Sequence, residues 1–455
     1  MRKVISVLVF LGISNLMYGQ ITKNLSLENS KTIIEKGIEA FDASNYSEAE
    51  QLFKKVPLGD TLYHLAQYEL SLVYTNQNRY QEAIELLLNF LDNKVEGINY
   101  SLVYAQLGNN YSDNNQYEKA IEIYDYALES YPYNYSFYFN KGIVYQKMQA
   151  YDKAMPCFEK SILCYPTHQS SHLQLGITYL KQKYYIPGVL ALNYAVMISP
   201  STDKALTALG ILNDIYVNGF DSYNTDNTFK ESDAMYDRNA KFRDLETLVK
   251  SNFALHKKFK TKSKINHIVI RQNQFIFENL HHDPQSHFIE EQLYIPYFQM
   301  IVQKKKDYDI FSHLLVSNTN IDDGKVNAKA PKMEKDFDAL WARSLDMLKQ
   351  VMERGLGMAN PEEISYIYNA KFLEAFGKKV WNDKKEKVYH DYWIVLNSEG
   401  GILREGNFNK GNAEGFWKEY DTYGNIIKEY TLENDITQGL CYLYFNHDSK
   451  VDEKQ

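Results

Sequence analysis

The sequence predicts a mainly α protein: an α-solenoid of five repeats plus a capping helix, a helical middle domain, and a small antiparallel β-repeat domain at the C-terminus. Three observations predict this. Tyrosine, glycine, alanine and proline recur together every 34 residues through the first half of the chain. Beyond them, apolar residues recur at helical spacing without such a repeat. A second period, of 24 residues, brings glycine turns and aromatic alternation near the C-terminus. With 455 residues, 44 % hydrophobic and 24 % charged, the chain has globular composition and is long enough for several domains.

The N-terminal segment sets the expected compartment. Arg2 and Lys3 precede an apolar run from Val4 to Gly12, and Ser14, Asn15 and the small Gly19 follow. This is a signal-peptide layout, with a run too short to remain as an anchor. Residues 1–19 are therefore expected to be removed, and residues 20–220 to form the solenoid. No cysteine lies near the expected cut, which argues against a lipid anchor. The mature chain is expected to be exported, periplasmic or extracellular, soluble or peripherally attached to the envelope, with no transmembrane segment. A formal charge of −8 and a pI near 5.8 give no general attraction to nucleic acid. Cys157 and Cys164 lie about 10 Å apart along one expected helix, too far for a disulfide. Together with the distant Cys441 they read as packing thiols.

The 34-residue period is carried by Tyr104-x2-Leu107-Gly108-x2-Tyr111, followed by Tyr117, Ala120, Tyr124, Ala127 and Pro132. Tyr138, Gly142 and Tyr145 come next, with Tyr151, Ala154, Phe158 and Pro166. Leu175, Gly176 and Tyr179 then lead to Tyr185, Gly188, Leu192, Ala195 and Pro200. The series runs backward to Tyr80, Ala83 and Leu87, and to Tyr46, Ala49 and Phe53, with a three-residue insertion around 96–99. Glycine and alanine provide close helix contact, tyrosine fills the space between hairpins, and proline ends the second helix. Lys204 to Val217 reads as a solitary capping helix.

These residues closely resemble the tetratricopeptide repeat family. The resemblance covers roughly residues 30 to 200 and implies a binding surface without chemistry of its own. Its concave wall is expected on Leu102, Ala105, Asn109 and Ser112 of the third repeat. In the fourth repeat the wall positions are Ser136, Phe139, Ile143 and Gln146; in the fifth, Ser170, Leu173, Ile177 and Leu180. Chaperone-adaptor members use Lys and Asn here to grip a C-terminal carboxylate. Only Asn109 matches, and Ala105 stands at the lysine position. The wall therefore suits a hydrophobic peptide or helix, with Asn109, Phe139, Ile143, Gln146, Leu173, Ile177 and Leu180 as the partner-binding candidates. The alternative occupant is the chain's own downstream helices.

Residues 221–380 are expected to form a helical middle domain, with Leu245, Leu248, Val249, Phe253 and Leu255 at helical spacing, and Phe337, Leu340, Leu345, Leu348 and Val351 likewise. Tyr223 to Thr228 and Asn318 to Lys335 read as polar loops. Lys257, Lys258, Lys260, Lys262 and Lys264 make a basic run, read as a solvated helix end, and Lys304 to Lys306 likewise. His281, His282, His287 and Glu290 offer a metal-binding alternative, weighed against plain surface residues. A hydrolase or metal-dependent centre around His281 to Glu291, with the solenoid recruiting substrate, is the competing functional reading.

From residue 381 onward an antiparallel β domain is expected. Gly415 to Tyr420 recurs as Gly439 to Tyr444, and Glu399 to Glu405 as Tyr423 to Glu429. Gly400 and Gly424 fit hairpin turns, and Trp417, Tyr420, Tyr442 and Tyr444 are expected to line one face. This pattern resembles the MORN-like (YwqK-type antitoxin) repeats, although Cys441 replaces the second tryptophan. The resemblance implies contact with protein or lipid rather than catalysis. No Gly-x-Ser-x-Gly, His-Glu-x-x-His, phosphate-loop or dinucleotide fingerprint occurs. The expectation is a non-enzymatic exported scaffold with a protein or peptide partner, no cofactor and no metal.

Overall fold

Each 34-residue repeat folds as two helices joined by one recurrent turn. The second residue after the first helix is left-handed in every repeat: Ser44, Asn78, Asn115, Gln149 and Lys183, with φ of 61°, 60°, 57°, 60° and 60°. The next amide bonds back to the carbonyl five residues earlier, as in Gln116 to Tyr111, Ala150 to Tyr145 and Tyr184 to Tyr179. This is a Schellman closure of the first helix.

The computed structural model describes residues 27–93, 100–220, 238–252, 268–286 and 288–317, isolated helical positions between 336 and 347, and the strands and turns over 365–368, 373–381, 387–397, 400–421, 424–445 and 449–454. The expected signal peptide, the lysine run 257–264 and the loops 223–228 and 318–335 lie outside the described residues. The chain divides into two units, Met1–Lys94 and Val95–Gln455.

The first unit contains the first two hairpins: α1 (Leu27–Asp42), α2 (Tyr46–Phe53), α3 (Tyr63–Asn76) and α4 (Tyr80–Asp92). Ile34, Ala49, Phe53, Ala66, Leu70 and Val73 form its core. In the second unit, α5 (Ser101–Asp113), α6 (Tyr117–Ser130), α7 (Tyr135–Lys147), α8 (Tyr151–Cys164), α9 (Gln169–Lys181) and α10 (Tyr185–Ile198) make three hairpins, and α11 (Asp203–Asn218) follows. It is no solitary cap, since Tyr216 on it bonds Asn273 of the next segment at 2.7 Å.

Within hairpins the glycines bring the helices together. A Cβ on Gly142 would stand 2.7 Å from Phe158, one on Gly108 2.5 Å from Tyr124, and one on Gly37 2.5 Å from Phe53. In the second repeat the same position holds Ser71, fully buried, and the partner position holds the non-aromatic Leu87.

The middle segment supplies α12 (Arg243–Asn252), α13 (Ile268–Glu278), a π-helical turn (Glu290–Tyr294), α14 (Ile295–Gln303) and α15 (Lys305–Ser317). It is helical as expected, but it does not build a separate core. One apolar cluster runs from Ala154 and Phe158 through Val189 and Leu212 to Phe277, Phe298 and Leu340. Consequently α10, from Tyr185 to Met197, is buried on all sides. Its mostly apolar sequence, without helical alternation, fits that position.

Among the described residues, the C-terminal sheet has eight antiparallel strands in sequence order: β1 (Ser365–Tyr368), β2 (Leu373–Trp381), β3 (Lys387–Leu396), β4 (Ile402–Asn409), β5 (Asn412–Tyr420), β6 (Ile426–Glu433), β7 (Ile436–Phe445) and β8 (Ser449–Lys454). It starts at Ser365, inside the 221–380 range expected to be helical. The turns repeat at 24 residues. Asn397 N–H donates to Gly401 O at 2.8 Å, and Asp421 N–H to Asn425 O at 2.9 Å. Gly400 (φ +79°) and Gly424 (φ +84°) occupy equivalent positions. Trp393, Ala413, Trp417, Tyr430 and Cys441 are buried on one face. Tyr420 instead bonds Glu405 at 2.5 Å, next to Lys418, which pairs with Glu405 across strands. Trp417 and Tyr420 therefore lie on opposite faces, not on one; β5 carries a register shift between Glu419 and Tyr420. The side chains of Tyr442 and Tyr444 lie outside the described residues.

Candidate functional site: the repeat wall and its neighbours

The first helices α5, α7 and α9 carry the expected wall, and their residues differ in what they offer. Leu102 is 44 % exposed. Ala105, Asn109, Phe139, Ile143, Gln146 and Ile177 are half-buried. Leu173 and Leu180 are buried, at 6 % and 0 % exposure. A Cβ on Gly188 would come within 2.9 Å of Leu180, so Leu180 is an α9–α10 hairpin contact. These two residues present no surface to a ligand and drop out of the candidate site.

The remaining positions are partly held by neighbours. Tyr124 Oη donates to Asn109 Oδ1 at 2.7 Å, orienting that amide from beneath. Gln146 Nε2 donates to Thr178 Oγ1 at 2.8 Å and to Gln174 O at 3.2 Å, tying α7 to α9. Phe139 packs edge-on to His168, with ring centroids 5.0 Å apart, and 5.9 Å from Phe158. What remains is an apolar strip from Leu102 through Phe139 and Ile143 to Ile177. It can take apolar side chains; Lys147 reaches the wall at Ser112 Oγ, 3.0 Å away, but its ammonium is paired with Asp113 at 2.8 Å.

The metal and hydrolase candidates are dispersed. His281 and His282 are exposed, and His287 lies outside the described residues. Glu290 and Glu291 are fully buried. Arg238 Nε donates to Glu290 Oε1 at 2.8 Å, and Arg238 Nη2 to Glu290 Oε2 at 2.6 Å. Glu291 is paired with Lys241 and accepts the Asp283 N–H at 2.8 Å. Burial pushes the Glu290 carboxyl up, but Arg238 outweighs it and leaves it below its ordinary range. Glu290 is thus an ionised ion-pair partner, without the upward-shifted pKa that would keep a general acid protonated. Among the described residues, no three His, Cys, Asp or Glu side chains group as metal ligands.

The same carboxylate anchors a seam that sequence reasoning missed. Arg238 Nη2 also donates to Glu159 Oε1 at 2.7 Å and to Tyr179 Oη at 2.7 Å. The guanidinium lies 4.3 Å over the Phe288 ring. Nearby, His172 Nε2 is 2.8 Å from Pro166 O, a pure acceptor, so this nitrogen carries the hydrogen. His172 Nδ1 must then accept from Tyr294 Oη, at 2.7 Å. Tyr294 closes the π-helical turn, which aims its hydroxyl at α9. The clue available in the sequence was the Tyr179 repeat position; its partners lie 59 and 111 residues away.

The cysteines are free thiols. Burial pushes Cys157 up to about 11 and Cys164 up to about 12, as expected of packing groups. No helix among the described residues is long and apolar enough to cross a membrane.

Residues 34–94, 102–134 and 135–168 match family models described as tetratricopeptide repeat. Similar solved structures include the "MamA RS-1 ArsTM double mutant", 14 % identical, covering 39 % of this chain and 99 % of that one, with a TM-score of 0.34. The "MamA 41-end from Desulfovibrio magneticus RS-1" has the same identity, coverages and TM-score. A crystal structure of MamA is 21 % identical, covering 36 % of this chain and 94 % of that one, with a TM-score of 0.32. No curated protein matches. With helical hairpins at the same positions as the family matches, the chain carries tetratricopeptide repeats.

Proposed function

We propose that this chain is an exported, non-enzymatic scaffold that binds a polypeptide through the wall of its third to fifth repeats, in an envelope or secretion complex. The observation that carries the reading is the apolar strip of Leu102, Phe139, Ile143 and Ile177 on three successive first helices. An amphipathic helix or hydrophobic peptide suits it, because the wall offers apolar contact without a charged clamp. The Arg2-Lys3 start, the apolar run and Gly19 support export. The 24-residue strand period, with its likeness to MORN-like repeats, supports a second contact surface in the sheet.

The test is site-specific photo-crosslinking. A benzophenone side chain at Leu102 or Ile177 should crosslink a discrete polypeptide in cells, and Leu102→Asp with Ile143→Ser should remove that product while far-UV circular dichroism stays unchanged. Crosslinking that survives both substitutions overturns the wall assignment. N-terminal sequencing of the mature protein should start at Gln20; a chain retaining Met1 overturns export through this signal.

A further inference from the structure

We propose that the seam between the fifth repeat and the middle segment is an acid-operated latch, with His172 as the protonation switch and Tyr294 as its catch. His172 is fully buried and both ring nitrogens are engaged, Nε2–H on Pro166 O and Nδ1 receiving Tyr294 Oη–H. A second proton has no place in this arrangement. It would occupy Nδ1, displace the Tyr294 hydrogen and leave a charged ring in an aromatic box formed by Tyr194 and Tyr294.

The groups facing His172 do not offset that charge. From α10 comes Tyr194, whose ring is 5.4 Å from Tyr294 and 5.0 Å from Tyr297. From the turn before α9 comes His168, a potential second cation. Glu159 of α8 and Glu290 of the π-helical turn are the nearby acids, and Arg238 already holds both. Burial therefore pushes His172 down to about 3; the bond to Pro166 O offsets only part of this, and the neighbouring His168 adds to it. His168 itself is pushed down to about 4 by burial, but it sits among Tyr135, Tyr165 and Phe139, away from the catch.

Moving the π-helical turn off α9 lets water reach the ring and restores its ordinary affinity for a proton. The sign follows from linkage: a folded value below the free value near 6.5 gives stabilisation that is complete above 6.5 and lost as pH falls toward 3. Opening also uncovers α10, whose apolar faces α12, the π-helical turn and α15 otherwise cover. The device would thus expose a hidden apolar surface in acid.

Hydrogen exchange on the full chain tests the latch. Corrected for intrinsic rates, exchange over 288–302 should rise roughly a hundredfold between pH 7.5 and 4.5, with α5 to α8 still protected, far-UV circular dichroism unchanged and anilinonaphthalene sulfonate fluorescence increased. His172→Gln, which keeps a donor and an acceptor but cannot be protonated, should cut the rise to less than threefold; His168→Gln should leave it. If His172→Gln fails to fold, Tyr294→Phe decides: without the catch, opening should begin at higher pH. An unchanged acid response in His172→Gln, an unshifted one in Tyr294→Phe, or loss of protection over the whole unit at once overturns the proposal.

Discussion

The Tyr133 N–H donates to the carbonyl of Gly400 at 2.8 Å, joining the turn between α6 and α7 to the turn between β3 and β4. This bond attaches the C-terminal sheet to the helical repeats at one repeat junction. The sheet's next turn repeats the approach: a Cβ on Gly424 would lie 3.1 Å from Ser130 Cα. Because the turns recur every 24 residues, successive hairpins present equivalent glycines to the same helix end. Asn134, on the other side of the bond, caps α7 by accepting from Ser136 N–H at 2.9 Å. The sheet is thereby coupled to the start of a wall helix.

Gly400→Ala should break that attachment. The added Cβ would overlap Tyr133 C and Asn134 N, and a φ of +79° is itself costly for alanine. We expect a loss of about 2–4 kcal/mol. All four tryptophans lie between 341 and 417, so their fluorescence reports on the C-terminal part of the chain. Its transition should move to lower temperature than the helical ellipticity transition. Two coincident transitions at the wild-type temperature would contradict the docking.

Gly142→Leu should cost about 1–3 kcal/mol or more through overpacking against Phe158, whose ring would stand only 2.7 Å from the added Cβ. Adding Phe158→Ala makes room for the leucine, so the double variant should be less destabilised than the sum of the two single changes by about 1 kcal/mol or more. The second repeat carries Ser71 at the glycine position and Leu87 at the partner position, both buried. Strict additivity in urea unfolding would refute the contact.

Much of this fold was legible because repetition multiplies weak local signals. Gly108, Gly142 and Gly176 are each ambiguous alone, yet their spacing fixes the hairpins. The turns between the helices were less visible, because Ser44, Asn78, Asn115, Gln149 and Lys183 share a backbone angle without sharing a residue type. Ser71 hid the glycine position of the second repeat. β1 and β2 read as part of the helical segment because Lys378 and Lys379 interrupt the alternation of β2. The wall was half legible: position alone selects Leu173 and Leu180 together with Ile177, whereas burial depends on what packs against them. The Arg238 cluster was illegible, since its carboxylates are 52 and 79 residues from the guanidinium.

Arg238→Met should cost about 3–5 kcal/mol, because it leaves Glu290 buried and unpaired. In the wild type, Glu290 sits below its free value, so its stabilisation is present above pH 4.5 and lost as pH falls through the folded value. Without Arg238, burial is opposed only by a backbone bond and the Lys241 charge, and we expect it to push the carboxyl up. The defect should therefore be largest at pH 8 and shrink toward pH 5, and Glu290→Gln in the same chain should recover much of it. A cost equal at both pH values in urea titrations would mean that the pair is not buried as described.

Glu246 offers the opposite sign. Its side chain reaches the start of α10 and accepts the Tyr185 N–H at 3.2 Å. Burial nevertheless pushes it up to about 7, more than the bonds from Ile186 and Tyr185 and the charges of Lys250 and Arg243 pull it down. A folded value above the ordinary 4.5 means that the native state binds the extra proton between those two values. Stability should then fall as pH rises from 4.5 through 7. Glu246→Gln keeps the acceptor for Tyr185 but removes the charge. It should raise stability at pH 8 by about 1–3 kcal/mol and change little at pH 4.5. Urea midpoints measured at both values decide it, and a variant that is weaker at pH 8 would show that the ionised carboxylate stabilises the start of α10 more than its burial costs.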